Sequence, residues 1–162
     1  LELIGNSPAN GVYLVDSYGS LYPEQIRRLA DKYLNMAAKY GKYVGIHAHN
    51  NQQLAFANTI DAVACGVNYL DATVNSIGRG AGNCALELLL GFLKNPKYKL
   101  HAVLKFIEEE MLKLKENGLV WGYDIPYLIS GVLDRHPSGA IDCIKKGRKD
   151  YADIYLELMG LE

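Results

Sequence analysis

The chain has 162 residues, 17 basic and 18 acidic side chains, a formal charge of −1 and an apolar share of 49%. Those figures describe one ordered globular chain, and they exclude a basic nucleic-acid module, a polybasic membrane binder and a disordered segment. No apolar run approaches the roughly 18 residues a membrane span requires, and Leu1–Gly5 lacks the basic-then-apolar pattern of a secretory leader.

The first hundred residues alternate short strand signals with longer helical ones. Val12-Tyr13-Leu14-Val15 is a β-branched and aromatic run that ends in Asp16-Ser17-Tyr18-Gly19. Ile26, Leu29, Ala30, Tyr33, Met36, Ala37 and Tyr40 then recur on one helical face, with Pro23 in its first turn and Gly41 just past its end. A second unit runs from the strand Tyr43–His49 to a helix marked by Phe56, Ile60, Val63 and Val67. The third has a strand at Tyr69–Val74, a glycine-rich loop, and a helix marked by Ala85, Leu88, Leu89 and Phe92, which Asn95-Pro96 stops. Three consecutive βα units predict an α/β fold with a parallel sheet.

From Leu100 the strand signal vanishes. Leu100, Val103, Leu104, Ile107, Met111 and Leu114 mark a long helix closed by Asn117-Gly118, with shorter helices near 127–134, 137–146 and 151–158. The expected organisation is therefore a βα region over 1–98 and an all-helical region over 99–162.

The chemistry-bearing residues fall at the C-terminal ends of the strands, the edge where parallel α/β folds build their sites. His47 and His49 are two apart, so both side chains point to one face and can reach one divalent cation. The same pair can also be read as one satisfied core histidine with a neighbour. Asn50 and Asn51 follow as oxygen donors. Ser76-Ile77-Gly78-Arg79-Gly80-Ala81-Gly82-Asn83 is a loop whose glycines admit a ligand to the backbone, or else a flexible turn. It is not the dinucleotide fingerprint, which needs glycine where Asn83 stands. Asp16-Ser17 reads as a substrate contact or as a turn. His101 and His136 read as surface residues. Cys65, Cys84 and Cys143 build neither a disulfide framework nor a metal site; Cys65 and Cys84, on predicted helices, read as buried inert thiols, and a reduced cytoplasmic chain is expected.

Taken in order, Gly45-Ile46-His47-Ala48-His49-Asn50-Asn51, Ala57-Asn58-Thr59, Leu70-Asp71-Ala72-Thr73, Gly80-Ala81-Gly82-Asn83 and Leu86-Glu87 resemble the metal-dependent aldolase and lyase superfamily. That group includes 4-hydroxy-2-oxovalerate aldolases, 3-hydroxy-3-methylglutaryl-CoA lyases and 2-isopropylmalate synthases. The resemblance covers residues from about 12 to 94. Gly122-Tyr123-Asp124-Ile125-Pro126-Tyr127 and Asp153–Leu158 are similar to the tail of the first branch.

The resemblance implies a (β/α)8 barrel of which this chain holds the last three units, followed by the helical tail. It implies Mn²⁺ or Mg²⁺ held by His47 and His49, with Asn83 approaching the metal, Ser17 and His47 contacting substrate, and Tyr127 assisting proton transfer. The expected reaction cleaves a 4-hydroxy-2-oxo acid to pyruvate and an aldehyde, the metal acting as a Lewis acid. The implied third ligand, an aspartate, and its neighbouring arginine and histidine base belong to the first strand, outside this sequence. By itself the chain is expected to be an incompetent catalyst, because three strands cannot close a barrel. Arg79 and small residues stand where the acyl-CoA lyases carry a loop cysteine, which argues against that branch. A 2-isopropylmalate- or homocitrate-synthase-like condensation, a 3-hydroxy-3-methylglutaryl-CoA-lyase-like enzyme and a non-catalytic binding barrel are the alternatives. Expected partners are a small 2-oxo acid, an acylating aldehyde dehydrogenase that takes the product, and further copies in a homo-oligomer; neither nucleic acid nor membrane is expected.

Overall fold

The computed structural model describes residues 1–160. A short helix α1 (Glu2–Gly5) leads into β1 (Gly11–Asp16), α2 (Pro23–Tyr40), β2 (Tyr43–Ala48), α3 (Ala55–Cys65) and β3 (Tyr69–Leu70). The strands form one parallel sheet in the order β1-β2-β3, with Val12 beside Val44, Leu14 beside Ile46, and Ile46 beside Leu70. The α/β expectation with parallel strands holds.

Strand alternation sorts the two sheet faces. Val12, Leu14, Val44, Ile46 and Ala48 turn toward α2 and α3 and join Ile26, Ala30, Met36, Ala37 and Ala62 in the main core. The opposite face carries Tyr13, Val15, His47, Tyr69 and Asp71, and Tyr13, Val15 and Tyr69 are 40–47% exposed. Parallel sheets are normally covered on both faces; this one leaves open the face that carries the histidines at its edge. Ile46 has no exposed surface. Its replacement, Ile46→Ala, is expected to cost about 2–5 kcal/mol in a urea melt of the intact protein.

Several sequence-based expectations shift. The third strand ends at Leu70 rather than Val74. After Asp71 donates to the Ile46 carbonyl (3.0 Å), the chain leaves the sheet and Thr73 pairs with Ala85 across the glycine loop. In α3 the buried face is Ala55, Asn58, Thr59 and Ala62, while Phe56, Ile60 and Val63 are only half-buried. Close packing on α2 and β2 selects the small residues there, and the Asn58 amide donates to the Leu21 carbonyl. In α4 (Leu86–Leu93), Leu89 is buried but Leu88 and Phe92 are exposed, and the helix ends at Lys94, before the Asn95-Pro96 stop. Cys65 is half-exposed rather than buried; Cys84 lies just before α4, not on it, and is buried as expected.

The helical region begins with α5 (Leu100–Phe106), continues through a π-helical turn at Ile107–Met111 and ends in α6 (Leu112–Glu116). Helices α7 (Ile125–Val132), α8 (Ser138–Lys145) and α9 (Tyr151–Met159) follow. Pro126 sits in the first turn of α7, and the Asp124 carboxylate caps the Ile125 N–H at 2.7 Å. Ile129, Cys143 and Ile154 make the core of this bundle. A second small cluster, Tyr127 and Ala140 with Ala81, fastens the bundle to the glycine loop. No helix among the described residues is long and apolar enough to cross a membrane.

Candidate active site at the C-terminal strand edge

The two histidines end β2 side by side, with ring centroids 4.9 Å apart at 76°. Each ring is anchored through Nδ1. His47 Nδ1 lies 3.2 Å from Asp71 Oδ2, and His49 Nδ1 lies 3.0 Å from the Asp16 carbonyl oxygen. A neutral imidazole that donates from Nδ1 carries its lone pair on Nε2, and no hydrogen bond to either Nε2 occurs among the described residues. Burial, helped by the charge of Arg79, pushes His49 below the ordinary histidine value and so favours its neutral form.

Asn83 pairs with His49 as an isolated antiparallel bridge. Its amide nitrogen donates to the Ile77 carbonyl (3.0 Å), while Oδ1 is buried with no partner. The residue bridged to His49 thus carries a buried carbonyl oxygen without a partner, which is costly to leave unpaired and would accept a proton donor or a cation. Two imidazole nitrogens and an amide oxygen are donor types that an intermediate divalent cation accepts. No grouping of three or more His, Cys, Asp or Glu side chains with metal-site geometry occurs among the described residues.

Asp16 and Ser17, adjacent in sequence, do different work. Asp16 is 2% exposed, and its carboxylate accepts from the N–H groups of Ser20 (3.0 Å) and Leu21 (3.3 Å), shaping the turn after β1. Burial outweighs those bonds and pushes its carboxyl above the ordinary range. Ser17 is exposed and lines a cleft of about 340 Å³ with Val15, Tyr18 and Asp134.

The glycine loop is tied down from several directions. Asn51 Oδ1 accepts from Ala81 N–H (3.3 Å), the Gly82 carbonyl accepts from Asn50 N–H (2.8 Å), and the Trp121 indole donates to the Asn75 carbonyl (2.8 Å). Tyr127 is 6% exposed, its ring packed against Gly80 and Ala81. Burial, and then the charge of Asp124, raises its hydroxyl above the ordinary tyrosine value, so the group stays protonated as a donor.

Sequence reasoning gives four of the site's neighbours, Arg79, His136, Trp121 and Asp71, no role. Arg79 donates to the Ser17 carbonyl (3.0 Å) and meets His136 Nε2 at 3.2 Å, and His136 packs edge-on against Tyr18. His136 is exposed, as expected, yet it stands on the rim of the site. Its contact with Arg79 spans 57 positions, which no local pattern shows. Asp71, by contrast, had a signal: a carboxylate just past β3, one position beyond the residue paired with Ile46.

The family model described as HMGL-like matches residues 1–110. A 4-hydroxy-2-oxovalerate aldolase of Carboxydothermus hydrogenoformans is 30% identical over 166 residues, covering 99% of this chain and 48% of the relative. An oxaloacetate decarboxylase of Mycobacterium tuberculosis is 43% identical over 83 residues, 51% of this chain and 24% of the relative. Among solved structures, the N-terminal domain of a proposed aldolase from Bacteroides vulgatus superposes with a TM-score of 0.70 at 30% identity, over 85% of this chain and 45% of that one. The chain spans about half the length of the curated aldolases it matches. With its parallel βα units, paired strand-end histidines and glycine loop, the chain belongs to the HMGL-like family.

Proposed function

We propose that the intact protein is a divalent-metal-dependent aldolase that cleaves a 4-hydroxy-2-oxo acid, such as 4-hydroxy-2-oxovalerate, to pyruvate and an aldehyde. The observation that carries this reading is the pair of anchored imidazoles, His47 and His49, with both Nε2 atoms unengaged, together with the unpartnered oxygen of Asn83, the residue bridged to His49. The aldolase names of relatives that align along nearly the whole chain support it. In this reading residues 1–98 are the last three units of a (β/α)8 barrel and 99–162 its helical tail, and the open sheet face is the barrel's interior wall.

His47, His49 and Asn83 would hold Mn²⁺ or Mg²⁺, which would supply Lewis-acid stabilisation of the charge developing on the keto oxygen. Ser17, exposed at the end of β1, and His47 face the oxo-acid end of the substrate. Cleavage of the C3–C4 bond requires loss of the 4-hydroxyl proton, and the electron pair left on C3 must then accept a proton. Tyr127, held neutral by burial, is the proton donor this chain supplies. Tyr127→Phe removes only the hydroxyl, so the fold should persist while turnover falls about 10²–10⁴-fold. Steady-state pyruvate release together with a thermal melt checks both halves of that expectation.

The locally high identity to an oxaloacetate decarboxylase favours a second reading. Loss of CO₂ from a 2-oxo dicarboxylate breaks the same C3–C4 bond and also yields pyruvate. Coupled detection of pyruvate, with parallel assays for aldehyde and CO₂, separates the two. Free thiol released from acetyl-CoA in the presence of a 2-oxo acid would instead indicate a 2-isopropylmalate-type condensation. The tail's exposed Leu104, Phe106, Leu112 and Leu119 support a docking surface for an acylating aldehyde dehydrogenase that takes the aldehyde. Three free cysteines fit a reduced cytoplasmic setting.

A further inference from the structure

The open sheet face places one carboxylate against the histidine pair. His47 lies in β2 beside Val15 of β1, and Asp71 follows β3 on the other side. The Asp71 N–H donates to the Ile46 carbonyl (3.0 Å), which fixes its backbone next to His47. Its Oδ2 sits 3.2 Å from His47 Nδ1, both side chains being partly open at 47% and 29% exposure. Tyr13 of β1 lies on the same open face. Its ring lies over Gly45, where a Cβ would come within 2.4 Å of it.

A neutral imidazole has one N–H, and only that nitrogen can face an anion favourably. With a carboxylate at Nδ1, the proton stays on Nδ1 and the lone pair on Nε2. A carboxylate acceptor also makes the imidazole a stronger ligand, which the backbone carbonyl anchoring His49 does less strongly. Asp71 is turned to the ring's Nδ1 side, and it completes no three-member ligand group with the histidines.

We propose that Asp71 is a positioning residue that fixes the His47 imidazole as the Nδ1–H tautomer, with Nε2 directed to a divalent cation. This rests on the metal-dependent reading above for its purpose, but the tautomer itself is testable without metal. Long-range ¹H–¹⁵N NMR of metal-free intact protein, at a pH where His47 is neutral, should show the proton on Nδ1. Asp71→Ala should move it wholly or largely to Nε2, whereas Asp71→Asn, which keeps an acceptor oxygen, should retain it on Nδ1. Titration with Mn²⁺, followed by the electron paramagnetic resonance of the free ion, should show about 10–100-fold weaker binding for Asp71→Ala and a smaller loss for Asp71→Asn. Equal thermal midpoints of the metal-free proteins would show that the loss is not unfolding.

A wild-type His47 protonated on Nε2 would overturn the proposal, as would Asp71→Ala binding Mn²⁺ within twofold of wild type. Should wild type itself take up no Mn²⁺, the metal reading falls, and the tautomer measurement alone still decides whether Asp71 sets His47.

Discussion

His47→Ala and His49→Ala are each expected to weaken Mn²⁺ binding by more than the roughly 10–100-fold typical of losing a ligand's supporting partner. Each should also remove metal-dependent pyruvate release from the intact protein. The fold should survive both changes. His47 gives up a partly solvated contact with Asp71, worth about 0–1 kcal/mol. His49 gives up one hydrogen bond to the Asp16 carbonyl, worth about 1 kcal/mol. Isothermal titration with Mn²⁺, run beside a urea melt, checks the two expectations together. If both variants were unfolded at room temperature, the histidines would be core-packing residues and the site assignment would fail.

Gly82→Ala is the second large effect. Gly82 has φ +90°, and a Cβ there would lie 2.0 Å from the Ser76 carbonyl oxygen and 2.9 Å from its hydroxyl. The nearer atom is backbone and cannot swing aside. The Ser76 carbonyl also accepts from Asn83 N–H (3.1 Å), and its hydroxyl hydrogen-bonds the Asn83 carbonyl. Relief of the clash must therefore displace Asn83 and, through the bridge, its register with His49. We expect about 3 kcal/mol or more of destabilisation together with weaker Mn²⁺ binding. Gly118 offers an internal control, since it has φ +89° with nothing within 4 Å of its would-be Cβ. Gly118→Ala should cost only the backbone preference, about 1–2 kcal/mol, and leave metal binding unchanged. Urea melts of the two variants separate steric contact from conformational preference at the same φ.

The elements of this chain were most legible where local chemistry dominates. The β-branched runs at Val12–Val15 and Tyr43–Ile46 are strands, and α2 begins at Pro23 and closes at Gly41, as its periodicity and end signals predict. The face of α3 was not legible. Hydrophobic spacing selects Phe56, Ile60 and Val63, while a tight contact with α2 selects Ala55, Asn58 and Ala62 because small side chains let helix axes approach. The third strand looked longer than it is, since Ala72-Thr73-Val74 has strand chemistry but turns away to pair with the glycine loop.

Site residues divide along the same line. His47 and His49 are readable because alternation puts both on one face of a strand. Tyr127 was singled out by resemblance alone; its packing on Gly80 links residues 47 positions apart, which neither period nor propensity encodes. Arg79, His136 and Trp121 were missed for that reason, as each reaches the site through a contact between distant segments.

The central claim, that these strand-end histidines serve metal-dependent cleavage of a 4-hydroxy-2-oxo acid, is tested most directly by one assay. Intact protein is incubated with 4-hydroxy-2-oxovalerate, and pyruvate is followed by coupled NADH oxidation, once with Mn²⁺ and once after chelation. The account predicts turnover with Mn²⁺ in the ordinary enzyme range, about 1–10³ s⁻¹, with the matching aldehyde and a return to background on chelation. Pyruvate release at the same rate with and without the metal would contradict it.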